Sequence, residues 1–583
     1  QFENEFKGHA EHLLNLKKIA LEHGIDTPIY TRTAWHSMAS PLPLGEIIPL
    51  FGVYAEGFWD RELTPMPGKY GDGFLFRTAR IDASIATDQL GNGQRKDSED
   101  VNKYPYFCCE IGGGMITSYH RRIRVNPKDI ESTALVKIGS GNNLQGFYMY
   151  HGGTNPAGKL TTLQESQATN YWNDVPVKSY EFQAPLGEFG QIAPHYHSLR
   201  LQHLFFRDFG ENLANMTTYL PKKEPINSKD SETLRWSVRT DGESGFVFVN
   251  NYQRLQKMSA KTDVQFQIKL KNETLNFPNK SITVAEDAIF FLPFNLQIAD
   301  AKLIYATAQP ICKLEEKGEI YLFFKEIEGI SAEFQFDGKT KFVGKKDGVN
   351  RYQTGSGKFI NIVSFSPKEA LKVWKSEFQN RERIFLANDG LVVENNKIKR
   401  FSADSNELSF SVFPAIKLPK HKSKSDGIFQ KFEIIQKPSF YKVKIGSIHD
   451  DMRVREIKMG NKGVAEAPTD EDFKYSGDWK ISFPKEYQKK SLLIRIKYLG
   501  DAARIYLGDK LLTDNFYNGN AFEVGINRFA PEVYEKDLIL KILPLQKNAP
   551  IYLADEAKPD FKDENNICRI ISVELIEIHS VEL

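Results

Sequence analysis

A single change of texture constrains this chain more than any other feature. For about the first 210 residues, apolar runs of strand length alternate with stretches of helical periodicity; beyond about residue 215 only short strand-like runs follow. Alternation of the first kind builds a sheet with helices packed on it, whereas successive strands build sandwiches. The expected chain is therefore multidomain, α/β first and all-β after it.

Within the α/β part, residues 9–23 carry the clearest helical pattern. Ala10, Leu13, Leu14, Leu16, Ala20 and Leu21 fall on one side of a 3.6-residue turn, Glu11, Lys18 and Glu22 lie opposite, and Gly24 supplies the stop. Strands are expected at 28–32, 51–55, 106–109 and 146–150, and the opening residues 1–6 read as the end of a fifth. Helices are expected near 75–90, 128–140, 160–171 and 195–209. Five parallel strands with helices between them and reactive groups at their C-terminal ends describe part of a (β/α)₈ barrel. A doubly wound open sheet fits the alternation too, but no glycine-rich phosphate loop follows any strand.

In the remainder, Phe246–Val249, Val264–Ile268, Ile289–Leu292 and Tyr321–Phe324 are short, aromatic or β-branched, and bounded by turn residues, while residues 332–336 alternate strictly. This is the signature of an antiparallel β-sandwich. The polar stretch Pro419 to Gly427 reads as a linker. The strands beyond it, with the strand–turn–strand string Leu507 to Leu511, have the look of a jelly roll. The expected domains are residues 1–215 (barrel segment), 216–345 (β-sandwich), 346–426 (small β region and linker) and 427–583 (jelly roll).

Composition removes several functions. With 77 basic and 75 acidic residues the net charge is +2, so nothing electrostatic points to nucleic acid. No run of eighteen apolar residues exists to span a membrane. Four cysteines in 583 residues make no disulfide scaffold, and no cysteine–histidine spacing resembles a metal site.

Two carboxylates carry the chemistry. Glu5, in Gln1-Phe2-Glu3-Asn4-Glu5-Phe6, stands where a strand ends; the plain alternative is acidic capping of the following helix. Glu110 follows the apolar residues Tyr106 to Cys109 and precedes Gly112-Gly113-Gly114, which take side chains away beside it and leave room for a ligand. A carboxylate at the end of a buried strand is costly unless used or paired, and Arg121 or Arg122 is the ordinary partner. Two such carboxylates facing one another are the minimum equipment for glycoside cleavage. Tyr148, in the string Gly146 to Gly158, is read either as a group that orients a carboxylate or binds sugar, or as packed core.

Taken together these strings resemble glycoside hydrolase family 35, whose best-known members are β-galactosidases. Gln1 to Phe6 matches the family's Q-[IVF]-E-N-E-[YF] motif at the end of barrel strand four. Asp26 to Thr31 and Met149 to Asn155 match further strings, and Ser179 to Leu186 resembles the segment S-Y-D-Y-D-A-P-L. The resemblance implies Glu5 as acid/base, Glu110 as nucleophile at the end of strand seven, Asn4 on the sugar 2-hydroxyl and Tyr148 at the site. It implies a retaining exo-β-glycosidase, most closely a β-galactosidase, acting with no metal and no organic cofactor on terminal galactosyl residues of an oligosaccharide or glycan outside the cytoplasm. The same mechanism on a glucosaminide or glucoside, and a carbohydrate-binding protein without catalysis, are the alternatives.

Three departures from the family pattern matter. After Glu110 the aromatic E-[FY]-[YW]-T-G-W string is replaced by Ile111-Gly112-Gly113-Gly114-Met115, which removes aromatic walls and implies a differently shaped or larger subsite. Phe182 stands at a family tyrosine that contacts sugar, keeping the ring and losing the hydroxyl. The chain begins at strand four, so it is expected to be a fragment comprising strands 4–8 and to be inactive when assayed alone. Glu56, near the end of the sixth strand, is read either as a sugar contact or as a salt bridge at the rim.

Overall fold

The computed structural model describes residues 9–33, 43, 45–80, 103–159, 163–337, 341–343, 348–403, 405–439 and 441–583. The described chain is mostly β-strand, gathered in many sheets, with few helices. Its α/β part contains helix α1 (His9–Glu22), strands β1 (Tyr30–Thr33), β2 (Ile48–Val53) and β3 (Phe107–Gly112), helix α2 (Pro127–Gly139), strand β4 (Leu144–Tyr148) and helix α3 (Pro194–Ala214). The strands β1 to β4 lie side by side in chain order, and every pairing is parallel. The opening residues 1–6 lie outside the described residues.

Local chemistry explains the helices. At the start of α2, Asn126 accepts a hydrogen bond from the Lys128 N–H at 2.9 Å and Asp129 accepts one from the Asn126 N–H at 2.8 Å, with Pro127 in the first turn. This reciprocal cap satisfies donors that the first turn of a helix otherwise leaves open. Phe51, Val53, Cys108 and Ile111 of the sheet share one core with Ile130 and Ala134 of α2 and Leu199 of α3. Their near-continuous apolar runs suit strands covered by helices.

Two helical expectations change. Helix α1 forms, but its apolar side is not buried: Leu14, Leu16 and Leu21 are exposed, because no described element covers them. In the expected helix 160–171 the described residues hold only a 3₁₀ turn at Gln167–Thr169. There the side chains of Ser166 and Asp174 accept backbone N–H groups and hold a loop conformation. Near 75–90 the described residues show a 3₁₀ turn just earlier, at Tyr70–Phe74, and residues 81–102 lie outside the description.

After α3 the chain turns to β-structure at once, since Thr217–Tyr219 already belongs to a seven-stranded antiparallel sheet. One face of that sheet meets α2 and α3 through Phe205, Phe209, Phe246, Phe248 and Phe291. The Phe205 and Phe291 rings lie 4.4 Å apart. The ribbon Lys261–Lys269 and Thr274–Val284 covers the other face. Near the C-terminus a five-stranded and a three-stranded antiparallel sheet enclose one core, whose strand Leu538–Ile542 alternates buried and half-buried positions.

Two divisions expected from sequence fall inside sheets. The four-stranded sheet built from Gln309–Glu316, Glu319–Lys325, Val349–Gln353 and Phe359–Phe365 straddles the division at 345/346. The polar stretch at 419–427 is no linker: Ser423–Asp426 pairs with Phe429–Phe432 in a hairpin turning at Gly427, whose φ is +61°. Every residue of Ser423–Asp426 is exposed, so its polarity is that of a sheet edge. The strand His579–Glu582 also returns to pair with Lys397–Ser402.

Adjacent arginines tie the α/β part to the rest. Arg121–Arg122 pairs in parallel with Tyr552–Leu553. Arg122 donates to the Asp501 carbonyl at 2.8 Å and forms an ion pair with its carboxylate, which also accepts the Tyr119 hydroxyl at 2.8 Å. Arg121 turns the other way, to Glu56.

Candidate active site

The parallel register assembles the site. Gly52 and Val53 of β2 lie beside Glu110 and Ile111 of β3, so the next residue, Tyr54, arrives next to Glu110. Gly112 of β3 is level with Tyr148 of β4. Glu110 and the two tyrosines thus gather at the C-terminal ends of adjacent parallel strands, where such sheets carry their reactive groups.

The buried Tyr54 hydroxyl donates to Glu110 Oε1 at 2.9 Å. Burial, then the charge of Glu110, pushes the Tyr54 phenol well above its ordinary range, so it remains a donor. A hydrogen bond from a neutral donor favours the ionised carboxylate. The antiparallel ribbon Gly153–Thr154 and Ser179–Tyr180 then folds Tyr180 back onto Tyr148, with the two hydroxyls 3.0 Å apart. Tyr148 is 39 % exposed and offers its ring to solvent. Burial raises both of these phenols as well.

Two residues expected to touch sugar are enclosed. Phe182 is 1 % exposed; its ring stacks on Tyr180 at 5.6 Å and meets Tyr148 edge-on at 5.5 Å. It is the floor beneath the tyrosine pair, with φ at +60°. Glu56 is also 1 % exposed: it pairs with Arg121, and its Oε2 accepts from Arg254 Nε at 2.7 Å. Arg254 in turn donates to Asp129 at 2.5 Å, and Tyr252 donates to the same carboxylate at 2.7 Å. Side chains closed to this degree present no atom to a ligand arriving from water. Glu56 is an interior ion-pair centre, not a rim bridge. Arg121 and Arg122 are taken by Glu56 and Asp501, and neither is the partner of Glu110.

The glycines after Glu110 also differ from expectation. A methyl group at Gly112 would lie 2.5 Å from the Tyr54 ring. At Gly113 it would strike the Met149 carbonyl, and at Gly114 the carbonyls of Phe182 and Gln183. The missing side chains make room for the Tyr54 ring and for the backbone of two other segments, so the run draws three segments together.

Asn4 and Glu5 lie outside the described residues. Sequence reasoning missed Tyr54, Tyr180 and the enclosing Trp59, whose ring meets Tyr54 edge-on at 5.1 Å. Tyr54 had a detectable signal, an aromatic residue at the end of the strand preceding the Glu110 strand. Among the described residues no cluster of metal-ligating side chains occurs, and no helix is long and apolar enough to cross a membrane.

A parallel sheet presents a tyrosine-held carboxylate, and antiparallel β-sheets follow it. Residues 72–205 match the family model described as Glycosyl hydrolases family 35, and the recognition made from the motifs stands over that span. The span takes in Glu110, Tyr148 and the segment from Ser179 to Leu186. No curated protein gives a significant match. Among solved structures, the GH31 alpha-xylosidase from Xanthomonas citri aligns at 11 % identity and a TM-score of 0.09, over 63 % of this chain and 38 % of that one. The chain therefore spans well under half of that protein's length, and a superposition so loose bears on neither fold nor function.

Proposed function

We propose that this protein is a retaining β-glycosidase acting on terminal β-galactosyl residues, with β1 to β4 as an arc of a (β/α)₈ barrel. The observation that carries the reading is Glu110, held by the buried Tyr54 hydroxyl at a strand end inside the family 35 span. Sequential order of four parallel strands suits a barrel wall; a doubly wound sheet reverses direction at its switch point.

Glu110 attacks the anomeric carbon as the glycosidic bond breaks, and Glu5 gives its proton to the departing oxygen. Glu5 then takes a proton from water, which releases the sugar from Glu110 with its configuration restored. The two carboxyl groups must stand about 5–5.5 Å apart for this double displacement. Tyr54 fixes the rotamer of Glu110, Tyr148 presents its ring to the sugar, and Asn4 serves the 2-hydroxyl. Export from the cytoplasm belongs to the same proposal.

The test is a panel of aryl β-glycosides given to the full-length protein, with the anomer released first read by proton NMR. Galactoside should be preferred over glucoside and glucosaminide, and the β-anomer should appear before mutarotation. The α-anomer appearing first, or no turnover of any member, refutes the reading. Tyr54→Phe should keep the fold and lower kcat about 10–100-fold, the worth of one hydrogen bond to a charged group, with KM little changed. Unaltered kcat would remove Tyr54 from the machinery.

A further inference from the structure

A cavity of about 520 Å³ lies where the loop from Gln164 to Val177 meets the C-terminal sheets. Its size falls within the roughly 300–1,000 Å³ of small-ligand pockets. Glu110, Tyr54, Tyr148 and Tyr180 are not among its walls. Part of the lining comes from the antiparallel strands Ala502–Leu507 and Lys510–Phe516.

The walls are tied together, so the space is built into the fold. Asp514 accepts the backbone N–H groups of Val177, Lys178 and Ser179 at 2.6, 2.8 and 3.1 Å. Asp174 accepts the Gln167 N–H at 2.8 Å and the Ala467 N–H at 2.9 Å. The Gln167 side-chain oxygen accepts the Asn461 N–H at 2.9 Å. Two carboxylates and an amide are thereby spent on clamping the loop to the C-terminal part.

Three other side chains on the walls keep hydrogen-bonding capacity that the protein does not use. Glu466 is half-buried; its backbone engages Lys458 and Arg455, but among the described residues its carboxylate meets no donor and is not sealed from solvent. Arg504 is buried, with its guanidinium carbon 4.2 Å from the Phe473 ring centre. Its Nη1 donates to Asp470 at 2.5 Å and to the Tyr506 hydroxyl at 3.1 Å. Among the described residues Nε and Nη2 meet no acceptor, and neither is sealed from solvent. Asn515 is half-buried, and its Oδ1 accepts the Tyr498 hydroxyl at 2.7 Å, which leaves its amide N–H groups to the cavity.

An acceptor without donors and donors without acceptors, set around one space, complement hydroxyl groups, each of which both gives and takes a hydrogen bond. Asp470 already balances the charge of Arg504, so the guanidinium offers N–H groups and little net attraction for an anion. We infer that this cavity binds a neutral saccharide at a site separate from Glu110, one sugar hydroxyl donating to Glu466 and another accepting from Arg504 and Asn515. The class of ligand follows from the cavity's own groups, so the inference does not depend on the glycosidase reading.

The experiment titrates the full-length protein carrying Glu110→Gln, so that nothing is cleaved, with lactose, cellobiose and maltose, and reads Kd by saturation-transfer NMR. At least one disaccharide should bind. Glu466→Ala and Arg504→Met, each added to Glu110→Gln, should raise its Kd about tenfold or more, the scale of one lost hydrogen bond to a charged group. Tyr148→Ala, at the other site, should leave this binding in place. Glu466→Ala removes no side-chain hydrogen bond within the protein, so it keeps the test open if Arg504→Met lowers the melting temperature. Binding by none of the three, or a Kd unmoved by both cavity variants, overturns the inference. In the second case, loss of binding in Tyr148→Ala puts the sugar at Glu110 and leaves the glycosidase reading standing. Serine, whose ammonium and carboxylate match the charges of Glu466 and Arg504, is the rival ligand, and its binding more tightly than every disaccharide also overturns the inference. A wild type that turns over no glycoside, with binding at the cavity intact, defeats the glycosidase reading alone.

Discussion

Glu110→Gln is expected to lower kcat by about 10⁴–10⁶-fold, the scale on which an enzyme loses rate with its nucleophile. The replacement is nearly isosteric, and its amide oxygen still accepts the Tyr54 hydroxyl, so melting behaviour and substrate binding should stay close to wild type. What disappears is the negative charge that, in the proposed mechanism, forms the bond to the anomeric carbon. A second arm separates the role from general damage: Glu110→Gly should recover part of its turnover in azide and yield the α-glycosyl azide. Attack then comes from the face that Glu110 occupied, with no second displacement to restore configuration. Near-normal turnover in Glu110→Gln would strip the residue of this role.

The second large effect concerns stability. Glu56→Ala should cost about 3–5 kcal/mol, because it strands two buried guanidinium groups, Arg121 and Arg254, without their shared carboxylate. Arg121 keeps carbonyl partners at Gly57 and Thr64, each at 2.9 Å, and Arg254 keeps Asp129, so the site is damaged and not emptied. Glu56→Gln should lose less. The readout is the denaturant midpoint followed by tryptophan fluorescence, with Trp59 nearby as reporter. Lys128→Ala, which opens the exposed Lys128–Asp287 pair from its helical side, is the control and should shift the midpoint little. Equal shifts for Glu56→Ala and the control would show that the buried network carries no special weight.

The legible parts of this chain were those fixed by neighbours in sequence. The apolar runs that became β2, β3 and β4, the capped helix α2 and the carboxylate of Glu110 were all readable within a few residues. What escaped was set by distant partners. Glu56 looked like a rim residue because Arg254, 198 positions away, cannot be inferred from the string around it. Phe182 looked like a sugar contact because its family position is one, yet its enclosure depends on how Ser179–Tyr180 folds back against Gly153–Thr154. The three glycines read as open space, since a sequence records a missing side chain and not the carbonyl that fills its place. Tyr54 could be placed beside Glu110 only through the parallel register. The polar string before Phe429 was mistaken for a tether because an exposed edge strand and a solvated linker have the same composition.

Arg121 and Arg122 have a consequence for how such a molecule can change over time. Neighbours in sequence, they commit the α/β segment to different clients: one to the carboxylate shared with Arg254, the other to Asp501, between two strands of the C-terminal sheets. Grafting in an unrelated β-module would leave a cation marooned in a dry seam, so recombination that exchanges modules one at a time would be selected against. The appended sheets should therefore descend together with the segment they clasp, as inherited company and not as interchangeable attachments.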